Sequence, residues 1–188
     1  MQAQTRQQLG GVYYAYPNGP EVKTGTFGKA TAWLADSLNQ LPAGFTPFYI
    51  SHYGRHGSRW MPHDNRYTWI YQHFEDESNL TPLGLKVKAL LKRVVDNAMG
   101  NGGKLSKLGA LQHQGIALRM YQHYPQIFAA GNHVKARSSV VDRCAKSMQA
   151  FTSELRLLQP SLNMDVKNDS ADMAWIAYVS PEIKALEK

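Results

Sequence analysis

Apolar residues recur along this chain with two distinct periods, and the alternation between them predicts its elements. Ala30, Trp33, Leu34 and Leu38 share one face of a helix that the spacing places over Phe27–Leu41, ending at Pro42-Ala43-Gly44. Phe45–Tyr53 is aromatic and β-branched and lies between Gly44 and Gly54, which predicts a strand running straight into Arg55-His56-Gly57. Leu83, Val87, Leu90, Leu91, Val94 and Ala98 then line one side of a helix with Thr81 as N-cap, Pro82 in its first turn and a stop at Gly100. A second helix follows the Gly100–Gly103 loop, over Leu108–Tyr124, and closes at Pro125. His133–Arg137 reads as a short strand. Ser138-Ser139 stands where a cap is needed for a third helix, whose apolar positions are Val141, Cys144, Ala145, Met148, Phe151, Leu155 and Leu158. Asn163–Val166 predicts a further short strand. The first two dozen residues, rich in Tyr, Gly and Pro, keep no period and read as an irregular arm, whereas Pro181–Lys188 begins a helical pattern that has no cap. Strands alternating with helices predict an α/β fold.

Composition narrows the partners. With 188 residues, 43% of them hydrophobic, the chain can bury a sizeable core of one domain or one and a half. Its 21 Lys and Arg against 14 Asp and Glu give a formal charge of +7, which favours phosphates, nucleic acid or an acidic surface. The basic face carrying Lys88, Lys92 and Arg93 has no interleaved aromatics for base stacking, so it reads as a solvated surface that steers small anions, with no nucleic-acid partner expected. No stretch reaches the roughly 20 apolar residues of a membrane span, and no membrane partner is expected. The start is too polar for a complete signal peptide, although Ala3-Gln4 is compatible with the remnant of a small-residue cleavage site. Cys144, alone in the sequence, allows no intrachain disulfide and reads as a small core residue.

The chemistry concentrates in Arg55-His56-Gly57-Ser58-Arg59. Guanidinium forks bind charged phosphoryl oxygens in bidentate fashion, a role that suits Arg55 and Arg59. Like charges on either side disfavour the imidazolium form of His56 and leave the ring neutral and nucleophilic. Gly57 permits either a close backbone approach or a dihedral that other residues resist. The alternative is a basic loop with a structural histidine, and both readings stay open on these residues alone. His52 and His56 have helical metal-chelating spacing, but Gly54, Gly57 and the preceding strand argue against a helix, so no metal is expected. His113 and His123 read as surface or partly buried packing residues, His63 and Asp64 as loop residues with substrate contact as the alternative, and Arg143 as the partner of an acidic group or of phosphate.

Arg55-His-Gly-Ser-Arg-Trp-Met-Pro62 resembles the signature of the histidine acid phosphatases, within the histidine phosphatase superfamily. Leu105–Arg119, continuing to Tyr124-Pro125 and Phe128, is similar to that family's helix leading to an Arg and a Tyr-Pro turn. Lys135–Arg143, followed by Ser147–Phe151, resembles the segment that supplies a further phosphate-binding arginine, carried over onto Arg137. The spelling of these segments is similar to the branch holding multiple inositol polyphosphate phosphatases and bacterial phytases. The resemblance implies a phosphoglycerate-mutase-like α/β core, with core segments over 27–70 and 130–170, a helical insertion over 80–128 and the arm over 1–26. It implies a phosphomonoester hydrolase with His56 as nucleophile, Arg55, Arg59 and Arg137 as phosphate ligands, no cofactor, phytate or another inositol polyphosphate as substrate, and a periplasmic or secreted location. Two departures stand out. The proline falls at Pro62, later than the pattern has it, and no His follows His133, so the family's His-Asp or His-Ala-Glu proton donor is missing. The chain is therefore expected to be an N-terminal portion. A mutase-like phosphotransferase and a non-catalytic phosphate-binding fragment are the alternatives.

Overall fold

The computed structural model describes residues 44–176 together with Ser180 and Ala185. The expected arm, the helix over Phe27–Leu41 and nearly all of the C-terminal pattern lie outside the described residues.

Helix α1 (Asn65–Gln72) leads through a 3₁₀ turn to α2 (Pro82–Ala98) and α3 (Lys107–His123). Strand β1 (His133–Arg137), α4 (Asp142–Leu158) and β2 (Asn163–Lys167) form a β-α-β unit, and the short α5 (Met173–Ile176) follows a second 3₁₀ turn. The two strands pair in parallel, with His133 opposite Asn163 and Arg137 opposite Lys167. Mixed helix and strand around a parallel pair agrees with the coarse α/β expectation.

Local chemistry explains the helix ends. Thr81 Oγ1 accepts the Gly84 N–H at 3.1 Å, Pro82 occupies the first turn where an amide would be unsatisfied, and Gly100 leaves α2 at φ +74°. Ser106 Oγ caps α3 in the same way, accepting Gly109 N–H at 3.1 Å. The expected serine cap of α4 is absent. Val141 holds that position without a side-chain bond, while Ser138 Oγ–H turns to the Ser139 carbonyl at 3.0 Å. Asp142 in the first turn of α4 still complements the helix dipole.

Ala117 of α3, Leu155 of α4, Phe128 and Leu162 form the buried core, and Val134 of β1 and Met164 of β2 pack onto it. Aliphatic and aromatic side chains thus weld α3 to α4 and to the strand pair, and burial of each large one contributes about 1.5–3 kcal/mol. Helix α2 packs on α1, yet Leu83, Leu90 and Val94 of its predicted apolar face remain exposed among the described residues.

One expected strand does not form. Phe45–Tyr53 joins no ladder among the described residues, with Phe48 94% exposed and Ile50 packed on the core. A strand is a pairing as much as a composition, and β1 is paired with β2. Tyr53 Oη–H is instead tied to the Ile176 carbonyl at 3.1 Å.

Candidate active site

The segment Arg55–Arg59 passes over the N-terminal ends of α3 and α4, and both helices hold it. From α3, Ser106 donates its backbone N–H and its Oγ–H to the Ser58 carbonyl at 2.9 and 2.8 Å, and Gln112 Oε1 accepts Ser58 N–H at 2.8 Å. From α4, Ser147 Oγ accepts Gly57 N–H at 3.1 Å. Arg59 bridges Leu105 in antiparallel fashion, and Trp60 N–H continues the pairing to the Lys104 carbonyl at 3.0 Å.

Gly57 and Gly109 make this approach possible. A Cβ on Gly57 would lie 2.3 Å from the Gly109 carbonyl oxygen, and one on Gly109 would lie 2.2 Å from that of Ser58. Of the two roles the sequence allows Gly57, close approach is the one the structure uses, since its φ is not positive.

His56 is half-buried in this loop, and its Nδ1 lies 2.8 Å from the Gly57 carbonyl oxygen. A carbonyl only accepts, so Nδ1 carries the proton and Nε2 keeps its lone pair. Burial is the main cause that lowers the His56 pKa from its ordinary 6.5; the Gly57 carbonyl opposes it, and the charges of Arg143, Arg55 and Arg59 add to the lowering. The neutral, nucleophilic form is favoured.

Three arginines therefore act electrostatically on His56. Arg55 is exposed; Arg59 and Arg143 are half-buried, and each holds a buried Nε–H with no hydrogen-bond partner among the described residues. Arg59 spends one terminal N–H on the Trp60 carbonyl at 2.8 Å. A buried guanidinium N–H without an acceptor is costly. Two of them beside one neutral imidazole suit an anion.

Arg137 is placed otherwise than the resemblance implies. Its guanidinium pairs with the Asp165 carboxylate, reaches Asp172 Oδ2 at 3.3 Å and donates to the Asp165 and Ala136 carbonyls at 2.8 and 2.9 Å. It does not figure among the charges acting on His56. The physical reason is the parallel register: Asp165 lies on β2 within reach of the end of β1, and a neutralised fork with four of its five N–H groups engaged has little left to offer phosphate. Arg143, in the first turn of α4, is instead among the charges that lower the His56 pKa. The same geometry occupies the late acids, since Asp165 and Asp172 hold Arg137 and Asp169 caps the second 3₁₀ turn through Ala171 N–H at 2.9 Å.

The histidines divide. His113, read from sequence as a packing residue, is 8% exposed and donates to the Arg55 backbone carbonyl; burial lowers its pKa, that bond opposes the shift, and His52 and His56 add to the lowering. His52 stacks on Phe151 with ring centroids 5.9 Å apart, and burial of that ring lowers its pKa although the residue as a whole is exposed. Because residues 51–58 are not helical, His52 and His56 do not share a helix face for a metal. Asp64 serves the loop, accepting Gly100 N–H at 2.7 Å. On α2, Lys88 pairs with Glu77 and Lys92 with Asp96, both at 2.9 Å, which neutralises much of the basic face.

No known family model matches the chain, and no curated protein matches it.

Proposed function

We propose that this chain carries the nucleophile half of a phosphomonoester hydrolase of the histidine acid phosphatase type, on a phosphoglycerate-mutase-like core. His56 Nε2 attacks phosphorus as the bond to the leaving alcohol oxygen breaks, and the alkoxide takes up a proton. Water then attacks the phosphohistidine, releasing inorganic phosphate and returning the neutral ring. Arg55, Arg59 and Arg143 hold the equatorial oxygens and balance the charge that moves during transfer.

The observation that carries the reading is the pair of Nε–H groups on Arg59 and Arg143, unpartnered among the described residues, beside a neutral His56 whose pKa those arginines lower. The net charge of +7 supports a multiply charged substrate, and phytate or another inositol polyphosphate is the first to test. A periplasmic or secreted setting, and a proton donor from outside residues 44–176, complete the reading. His56→Ala is expected to abolish acid-labile phosphoenzyme formation from radiolabelled phytate, while phosphate binding is retained. Unchanged labelling in that variant sinks the assignment.

A further inference from the structure

Ser147 is 3% exposed, within the second turn of α4. Its Oγ–H donates to the Arg143 carbonyl at 2.7 Å, a back-bond that serines commonly make inside helices. Its lone pair takes Gly57 N–H at 3.1 Å, from a residue 90 positions away in sequence. A hydroxyl has one proton to give, so the direction of both bonds is fixed. The bonds meet at Gly57, through its two successive peptide groups: His56 Nδ1–H to the Gly57 carbonyl, Gly57 N–H to Ser147 Oγ, and Ser147 Oγ–H to the Arg143 backbone carbonyl. One end is the nucleophile and the other is the arginine that acts on it.

We propose that Ser147 is a positioning residue, which holds the first turn of α4, and with it the Arg143 guanidinium, in register with the His56 ring. The inference rests on reading His56 as the nucleophile. The peptide groups on either side of His56 are gripped from different helices, by His113 of α3 at the Arg55 carbonyl and by Ser147 of α4 at Gly57 N–H. Of these two, the Ser147 bond is the one that runs to the helix bearing Arg143. Without it, α3 still holds the loop through Ser106 and Gln112, and what is lost is the alignment of Arg143 with the ring. Misplacing a phosphate ligand by a fraction of an ångström is felt far more in transfer than in folding.

The test compares Ser147→Ala and Ser147→Thr with the unaltered chain. It reads the phosphoenzyme formation rate, the His56 ring titration by NMR, orthovanadate affinity and thermal stability. Ser147→Ala is expected to keep its fold, form phosphoenzyme about 10–100-fold more slowly, and let His56 titrate closer to its ordinary value as Arg143 withdraws. Ser147→Thr, which keeps the hydroxyl, is expected to recover most of the rate and the lowered titration. An Ala variant whose rate stays within about twofold of the unaltered chain and whose His56 titration does not move overturns the proposal. So does a Thr variant that regains stability without regaining either. If the Ala variant does not fold, Ser147→Cys, close in volume and a weak hydrogen bonder, carries the same comparison. An unaltered chain that never forms phosphohistidine refutes the phosphatase reading, and the His56 titration, which needs no turnover, still decides the role of Ser147.

Discussion

Replacing Gly109 with alanine tests the contact on which the site is built. In an ordinary helix interior this change stabilises by about 1 kcal/mol, because alanine has less backbone freedom to lose. Here the new methyl would lie 2.2 Å from the Ser58 carbonyl oxygen, 2.8 Å from the Ser58 nitrogen and 2.7 Å from Leu105 Cδ1. Leu105 can rotate away, whereas the Ser58 backbone must retreat by about 1 Å to reach ordinary van der Waals contact. That retreat stretches the bonds from Ser106 N–H and Oγ–H to the Ser58 carbonyl and from Ser58 N–H to Gln112 Oε1. Overpacking costs about 1–3 kcal/mol, and weakening bonds worth about 1 kcal/mol each raises the total toward 2–4. Allowing for helix propensity, the expected net loss is about 1–3 kcal/mol. It should appear as a lower urea midpoint at unchanged slope. Gly84→Ala is the control, because a methyl there meets only side chains, the nearest being Leu80 Cβ at 3.3 Å. A Gly109→Ala variant as stable as the parent, or more stable, would refute the close approach of loop and helix.

Exchanging the two candidate arginines separates them. Arg143→Gln is expected to weaken orthovanadate binding about tenfold or more, the loss of at least one charge-assisted hydrogen bond, whereas Arg137→Gln should leave affinity within about twofold and lower stability by stranding Asp165; isothermal titration calorimetry beside thermal melts reads both. The pH dependence follows from His52, His56 and His113, whose pKa values all lie below 6.5 in the folded chain. The unfolded chain therefore takes up protons first as pH falls, so their contribution to stability is complete above pH 6.5 and declines from there through the lowered folded values. Phosphoenzyme formation should persist below pH 6.5, since His56 stays neutral there, and a rate that halves at or above pH 6.5 would contradict the lowered His56 pKa.

Helices α2, α3 and α4 and both strands are legible in the sequence because their apolar period and their Pro, Gly, Ser and Thr punctuation are local properties. Phe45–Tyr53 has the composition of a strand, but a strand depends on a partner, and no local pattern supplies one. Helix α1 escapes notice because Asn65–Gln72 mixes Thr, Tyr, Trp and Ile without an apolar stripe, and none of its residues is buried. At the site, His56 and its flanking arginines are legible as a run of chemistry. The choice between Arg137 and Arg143 is not, since it turns on Asp165 and Asp172 lying beside one and not the other. His113 carries a usable signal: it lies four positions after Gly109 and four before Ala117, on the stripe of small residues that α3 buries.

The loop bearing His56 has almost no regular structure of its own. It is lashed down by bonds to residues 48, 54 and 90 positions away, so it closes only after α3 and α4 have met. Its opening needs less than unfolding of the whole chain, because parting from the two helix ends releases it while the core of Ala117, Phe128, Leu155 and Leu162 stays shut. Its amides should therefore exchange with solvent ahead of the core helices. Substitutions buried between α3 and α4 would first show themselves as a loosened His56 loop in a protein that still melts as one.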